Sequence, residues 1–255
     1  MAMKLVSADS LNLGGSDLFK MQQGQTYRLS FAMNPGFEKS DLDFEKAPLF
    51  AQANSLFIKG IGKVIDEGPH SEISGEASKE YFATVIVVWP ITRKNSFDKT
   101  RLLEDEDFDV APFRVTAGRL KDIKAAYALQ GVPFGSRDLI MLCTDAKFQS
   151  ANYSACPDSV LSMLQKASKS DDEAHAPAAA IFSKIMEKTL KESENLENIF
   201  GKRMSVEDFT QKLGELNKQN SSDSSGDLIS GAVPPAASAP EGLETTDVDD
   251  LIDEL

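Results

Sequence analysis

The 255-residue sequence predicts a mainly β protein with an α-helical appendage and a disordered acidic end. Three observations predict it. Strand-like apolar segments, separated by turn residues, fill the chain from about residue 21 to residue 153. Helical apolar spacing takes over from residue 157 to residue 217. From residue 219 onward Ser, Gly, Pro, Ala and acids dominate, a composition that cannot bury enough apolar surface to offset chain ordering.

The elements follow in order. "QTYRLSFAM" (25–33) is rich in β-formers and stops at Asn34-Pro35-Gly36, a strong turn. "NSLFIKGIGKVID" (54–66) is a loosely alternating strand, with Gly60 and Gly62 marking a bulge or a close backbone approach. "YFATVIVVWPI" (81–91) is a continuous apolar run, the pattern of a strand buried on both faces, and Pro90 ends it. An acidic loop spans 102–113. In 116–131, Leu120, Ile123 and Tyr127 recur at helical spacing between a Thr116 cap and Gly131-Val132-Pro133. "DLIMLCT" and "KFQSANYS" are two strands of a hairpin that turns at Asp145-Ala146. Three long strands, a helix and a hairpin are the order of a five-stranded OB-like Greek-key barrel.

Past Pro157 the pattern predicts a short helix over 157–167 and an amphipathic helix over 178–201. A shorter helix over 205–217 opens on a Ser-x-x-Asp start. The expected organisation is a strand-rich domain (1–156), a helical appendage (157–218), a disordered linker (219–246) and a terminal segment (247–255).

The net charge of -13 is unevenly spread. Residues 221–255 hold nine acids and no base, which leaves 31 acids against 27 bases in the other 220 residues, a net of -4. The acidic whole therefore contains a nearly neutral body, and a low overall pI does not argue against nucleic acid. No apolar run approaches the roughly 18 residues of a membrane span. The first fifteen residues carry one Lys and no long apolar stretch, so no secretory signal is expected and the cytoplasm is the expected compartment.

Catalytic chemistry has little to work with. No phosphate-loop, dinucleotide, H-E-x-x-H or nucleophile-elbow motif is present. Cys143, Cys156, His70 and His175 do not share metal-ligand spacing, and both histidines fall in polar segments, so no metal and no cofactor is expected. The acids at 104–109 do not match a calcium loop; a Mg²⁺-dependent nuclease built on them is the weakest reading.

Sequence-tolerant binding of single strands needs cations along the phosphates and flat rings for the bases. The strand region interleaves the two. Tyr27 and Arg28 lie together, Phe57 is near Lys59 and Lys63, and Trp89, Arg93, Lys94, Phe97, Lys99 and Arg101 fall within thirteen residues. The helix at 116–131 adds Arg119, and the final hairpin adds Lys147, Phe148 and Tyr153. Any one ring is more often core than platform, because large apolar side chains are normally inside. Phe97, in a polar and basic loop, is the ring least expected to be buried.

"FKMQQGQTYRLSF" (19–31), "DLIMLCTDAKFQ" (138–149) and the terminal "DVDDLIDEL" resemble segments of the acidic-tailed single-stranded DNA-binding proteins of tailed bacteriophages and bacteria. The resemblance implies a non-catalytic protein that coats single-stranded DNA in replication, recombination and repair, in the cytoplasm of a bacterial host where it is phage-encoded. It further implies that the tail, through Asp247, Asp249, Asp250, Leu251, Ile252, Asp253, Glu254 and Leu255, recruits a polymerase, helicase or primase. Some phage members hold zinc; this chain lacks suitable ligands. The competing reading is a structural or adaptor protein that forms homo-oligomers through helices 178–217 and binds no nucleic acid.

Overall fold

The computed structural model describes residues 18–20, 22–92, 96–144 and 151–223, with side chains as far as Lys218. It is a mixed α/β structure. Seven antiparallel strands form one open sheet in the order β3-β2-β4-β1-β6-β7, with β5 on the other edge of β4. The strands are β1 (Thr26–Phe31), β2 (Ala51–Ile58), β3 (Gly62–Ile65), β4 (Lys79–Trp89), β5 (Asp109–Thr116), β6 (Leu139–Cys143) and β7 (Ala151–Ala155).

β4 organises the sheet. Its first half pairs with β2 and its second half with β1, while β5 runs along its opposite edge from Tyr81↔Thr116 to Val88↔Asp109. β6 extends the sheet from β1, and β7 from β6. Among the described residues β5 and β7 form no ladder, so the expected closure into a barrel is not seen and the sheet is open there. Phe19 donates its N–H to Pro112 O (3.0 Å) on the outer edge of β5. Because Pro112 turns its carbonyl away from β4, its missing N–H faces the same way and costs the ladder nothing.

Two of the expected boundaries differ. Segment 54–66 is not one strand but the hairpin β2–β3, since Gly60 and Gly62 adopt φ of 96° and 95° and turn the chain at Lys59–Ile61. Segment 102–113 is not an acidic loop. It holds the last four residues of helix α2 (Lys99–Asp105), whose first turn is capped by Asp98, and most of β5. The short helix α1 (Pro69–Ser74) lies between β3 and β4.

The alternation of β4 builds two cores. Phe82, Ile86 and Val88 face a cluster that includes Leu29, Phe31, Phe113, Met141 and helix α3 (Ala117–Leu129). Ala83, Val85, Val87 and Trp89 face the opposite way, under helices α4 (Val160–Ser168) and α5 (Ala176–Ser193) and the 3-10 turn Leu196–Phe200. Burial on both faces is what the unbroken apolar run of β4 requires. Residues 157–204 are therefore part of the body rather than an appendage to it. Gly201 to Met204 continue it by lying beside β3, with a parallel bridge between Val64 and Lys202.

One compact unit runs through Met204, and a second begins at Ser205. In the second, helix α6 (Val206–Asp223) starts where Ser205 Oγ accepts the Asp208 N–H (3.1 Å), the cap expected from the Ser-x-x-Asp start. No helix among the described residues is long and apolar enough to cross a membrane.

Candidate nucleic-acid interface

The candidate side chains divide into two environments. Arg28 and Trp89 are buried, at 6% and 3% exposure. Arg28 Nε donates to Asp138 Oδ2 and its Nη2 to Asp158 Oδ1, both at 2.7 Å. Trp89 Nε1 donates to Ser30 Oγ (2.7 Å), and Ser30 in turn donates to Asp138. The Val160 amide completes the shell around the Asp138 carboxylate. Burial pushes the Asp138 carboxyl up to about 6, while Arg28, Ser30 and the Val160 amide pull it back. This network joins β1, β4 and β6 to the first turn of α4. Within it Arg28 and Trp89 are too deeply buried to meet a base or a phosphate.

Phe97 belongs to the same interior. Its ring stands edge-on to Trp89 (centroids 6.3 Å apart), with the Arg28 guanidinium 5.4 Å from its centre. The polar loop around Phe97 suggested exposure. Instead Ile91 bridges to Phe97, and the partly buried ring packs against the core. Arg93 and Lys94, between them, lie outside the described residues, as do Lys147, Phe148 and Asp247, Asp249, Asp250, Leu251, Ile252, Asp253, Glu254 and Leu255 of the tail.

Lys99 and Arg101 are exposed on α2, and Arg101 pairs with Asp107. Arg119 is half-buried on α3, across the sheet from α2 and beside Tyr153, whose hydroxyl burial raises its pKa. Tyr27 is half-buried, its hydroxyl accepting the Gln22 N–H (2.8 Å) and donating to Gln25 Oε1 (3.1 Å). Arg101 and Arg119 thus sit on helices covering opposite faces and do not share one surface.

The remaining candidates do come together. Phe57 is 67% exposed near the end of β2, with Lys59 exposed in the turn and Lys63 directly across the ladder. Strand alternation puts Phe57, Lys63, Tyr81 and Arg114 on one face, because Ala53 pairs with Tyr81 and Ala83 with Arg114. Lys63 Nζ lies 4.0 Å from the Tyr81 ring centre, and the Arg114 guanidinium lies 4.9 Å from it. Arg114 Nη1 also donates to Ile199 O (2.8 Å). Among the described residues no carboxylate pairs with either cation. Burial, reinforced by the Arg114 charge, brings Lys63 down to about 7.

Tyr81 and Arg114 were absent from the candidates drawn from the sequence. The one usable signal was the alternation in "FRVT" (113–116), which turns Arg114 away from the apolar face of Phe113 and Val115. It gives a direction but not a neighbour.

The other chemistry-bearing groups are structural. Glu106 accepts from Lys184 Nζ (2.5 and 2.6 Å), so the acids at 104–109 are partly neutralised by bases. Among the described residues, no three His, Cys, Asp or Glu side chains gather as a metal would require. His70 was expected in solvent but is 1% exposed on α1, and its Nε2–H donates to Met204 O (3.0 Å). Cys143 and Cys156 are buried and form no disulfide, and burial raises Cys156 to about 11. A comparison of the chain with models of protein families finds no match, and a comparison with curated proteins also finds none.

Proposed function

We propose that this chain is a non-catalytic single-stranded DNA-binding protein. It coats single strands in replication, recombination and repair, and it recruits a polymerase, helicase or primase through residues 247–255. The observation that carries the reading is Phe57: a large ring left in water on a hairpin, with Lys59 beside it and Lys63 opposite. A ring with adjacent cations is what a stacking platform needs.

The pairing of the strands supports the same reading. Ladders β1–β4, β4–β5, β1–β6 and β6–β7, with α3 between β5 and β6, follow the connectivity of an OB-like Greek key. The β2–β3 hairpin is then an insertion between the first two barrel strands. OB folds bind oligonucleotides on the face of their second and third strands and on the adjoining loops. Here those are β4 and β5. Helices α4 and α5 cover much of that face, and Tyr81 and Arg114 lie only partly buried at its end, on the side of the connection that carries Phe57. Helix α6 takes up residues 219–223 of the expected linker, and the remaining 23 residues (224–246), if a flexible coil, would give the acidic end an r.m.s. reach of about 26 Å.

The test is a gel shift of the full chain with oligo-dT and with a duplex of equal length over a salt series. Preference for the single strand, weakening as salt rises, is expected. No shift at low salt would end the coating reading and leave an adaptor protein in its place.

A further inference from the structure

We propose that Lys63 and Arg114, gathered over the ring of Tyr81, form a seat for a single phosphate group. The argument begins with what is missing from an ordinary arrangement. Two like charges held half-buried beside one ring repel each other and lose hydration. Proteins normally relieve this with a carboxylate, as Arg28 is relieved by Asp138 and Asp158 in this same sheet. At Lys63 and Arg114 none is supplied. The nearest acid on the turn packed over this face, Glu197, lies 3.9 Å from Arg203 instead. The other charged or titratable groups on the neighbouring elements are Lys79, Glu80 and Tyr81 of β4, Asp109 of β5 and Lys202 beside β3. Strand alternation turns Glu80 to the opposite face, where its Oε1 accepts from Gln52 Nε2 (2.5 Å), and Asp109 lies at the far end of β5, opposite Val88.

Contacts with the neighbouring backbone fix the main chain of Lys63 and the head of Arg114. The Lys63 backbone is clamped on its outer side, where its carbonyl accepts the Lys202 N–H (2.9 Å). Gly201 lies so close that a Cβ there would fall 2.7 Å from Lys63 O. Arg114 is held from the other side by its bond to Ile199 O. The quadrupole of Tyr81 keeps both cations in place without neutralising them. A phosphate supplies the absent negative charge and accepts the N–H groups that remain on both heads.

Proton uptake follows. Lys63 is about half charged at pH 7 in the unoccupied protein, and a bound phosphate restores the full charge. Binding therefore draws in about half a proton per seat at pH 7 and strengthens as pH falls from 8.5 to 6. This deepens the single-strand reading, in which the seat holds one backbone phosphate near the base stacked on Phe57.

The experiment is calorimetry of the full chain with oligo-dT at pH 7 in two buffers of different ionisation enthalpy, with Lys63→Met and Arg114→Met as variants. The wild type is expected to take up about half a proton. Both variants are expected to bind about tenfold more weakly and to lower the salt slope by about 0.7, the value for one contact on a single strand. Only Lys63→Met should abolish the proton uptake. Wild-type binding with unchanged affinity and uptake in both variants overturns the seat. If the wild type binds no oligo-dT, the coating reading fails separately, and inorganic phosphate then decides the seat. A phosphate-dependent rise in Tm that is lost in Lys63→Met supports it, and no rise in the wild type overturns it.

Discussion

The Lys63 ammonium lies 4.0 Å from the centre of the Tyr81 ring, on a face where Arg114 lies 4.9 Å from the same centre. The folded protein holds Lys63 near 7, below its ordinary 10.5. Between those values the unfolded chain binds more protons than the native one, so this group makes stability rise with pH from about 7 to 10.5. Its cost is fully present below 7. Lys63→Met is expected to stabilise the protein at pH 6 by about 1 kcal/mol, or about 2–4 °C in Tm, and to have little effect near pH 10.5. Thermal melts at both pH values check this.

Trp89 is the only tryptophan, and it reports on Asp138 through Ser30. Protonation of Asp138 changes that chain of bonds, so Trp89 fluorescence is expected to titrate with a midpoint of about 6. The carboxyl is raised from 3.8, so the native state binds its proton first, and this group's contribution to stability is lost as pH rises from about 4 through 6. Asp138→Asn should remove the titration. It should also lower Tm by roughly 6–12 °C, because it leaves the buried Arg28 with Asp158 alone, a cost of about 3 kcal/mol.

Phe57 and Phe97 should separate cleanly. Phe57→Ala removes an exposed ring and is expected to change stability by less than about 0.5 kcal/mol. It should weaken binding to oligo-dT by about 1–3 kcal/mol, the worth of one stacked base. Phe97→Ala removes a ring from the core and should lower Tm and shift the Trp89 emission. Melting curves beside fluorescence-anisotropy titrations distinguish the two.

Gly201 has φ of 130° and no room for a side chain beside Lys63. Gly201→Ala is expected to cost about 1–3 kcal/mol and to detach the segment 201–204 from β3. Faster hydrogen exchange at the Ile65 and Lys202 amides, which bond across that junction, is the measurement.

Deletion after Thr246 removes five carboxylates with Val248, Leu251, Ile252 and Leu255. Stronger oligo-dT binding at low salt is expected, with the gain vanishing as salt screens the tail. Recruitment of a replication partner should be lost in pull-down. Unchanged affinity together with intact recruitment rejects this role for the tail.

Much of the local structure was legible in the chain. β1 ends at Phe31, shortly before the turn at Asn34-Pro35-Gly36, α3 is capped by Thr116 and followed by Gly131, and α6 opens on Ser205, because turns and caps are decided by neighbours in sequence. The β2–β3 turn was half legible: Gly60 and Gly62 marked an unusual backbone, but not whether the chain bulged or reversed. Segment 102–113 misled because its acids mask a capped helix and a strand whose burial depends on β4 and α5.

The sequence by itself determined most of the strands and helices, though not α1, α2, β5 or the reversal between β2 and β3, and that the body is nearly neutral beneath a charge of -13. Only the tertiary structure decided which cations are available. Arg28 and Trp89 looked as accessible in sequence as Phe57 and Lys63, yet α4 and α5 cover the first pair and leave the second at the edge of the sheet. Lys63, Tyr81 and Arg114 sit on three different strands. Their meeting depends on ladder register and sheet curvature, which are set by long-range pairing and packing rather than by any residue's own neighbours.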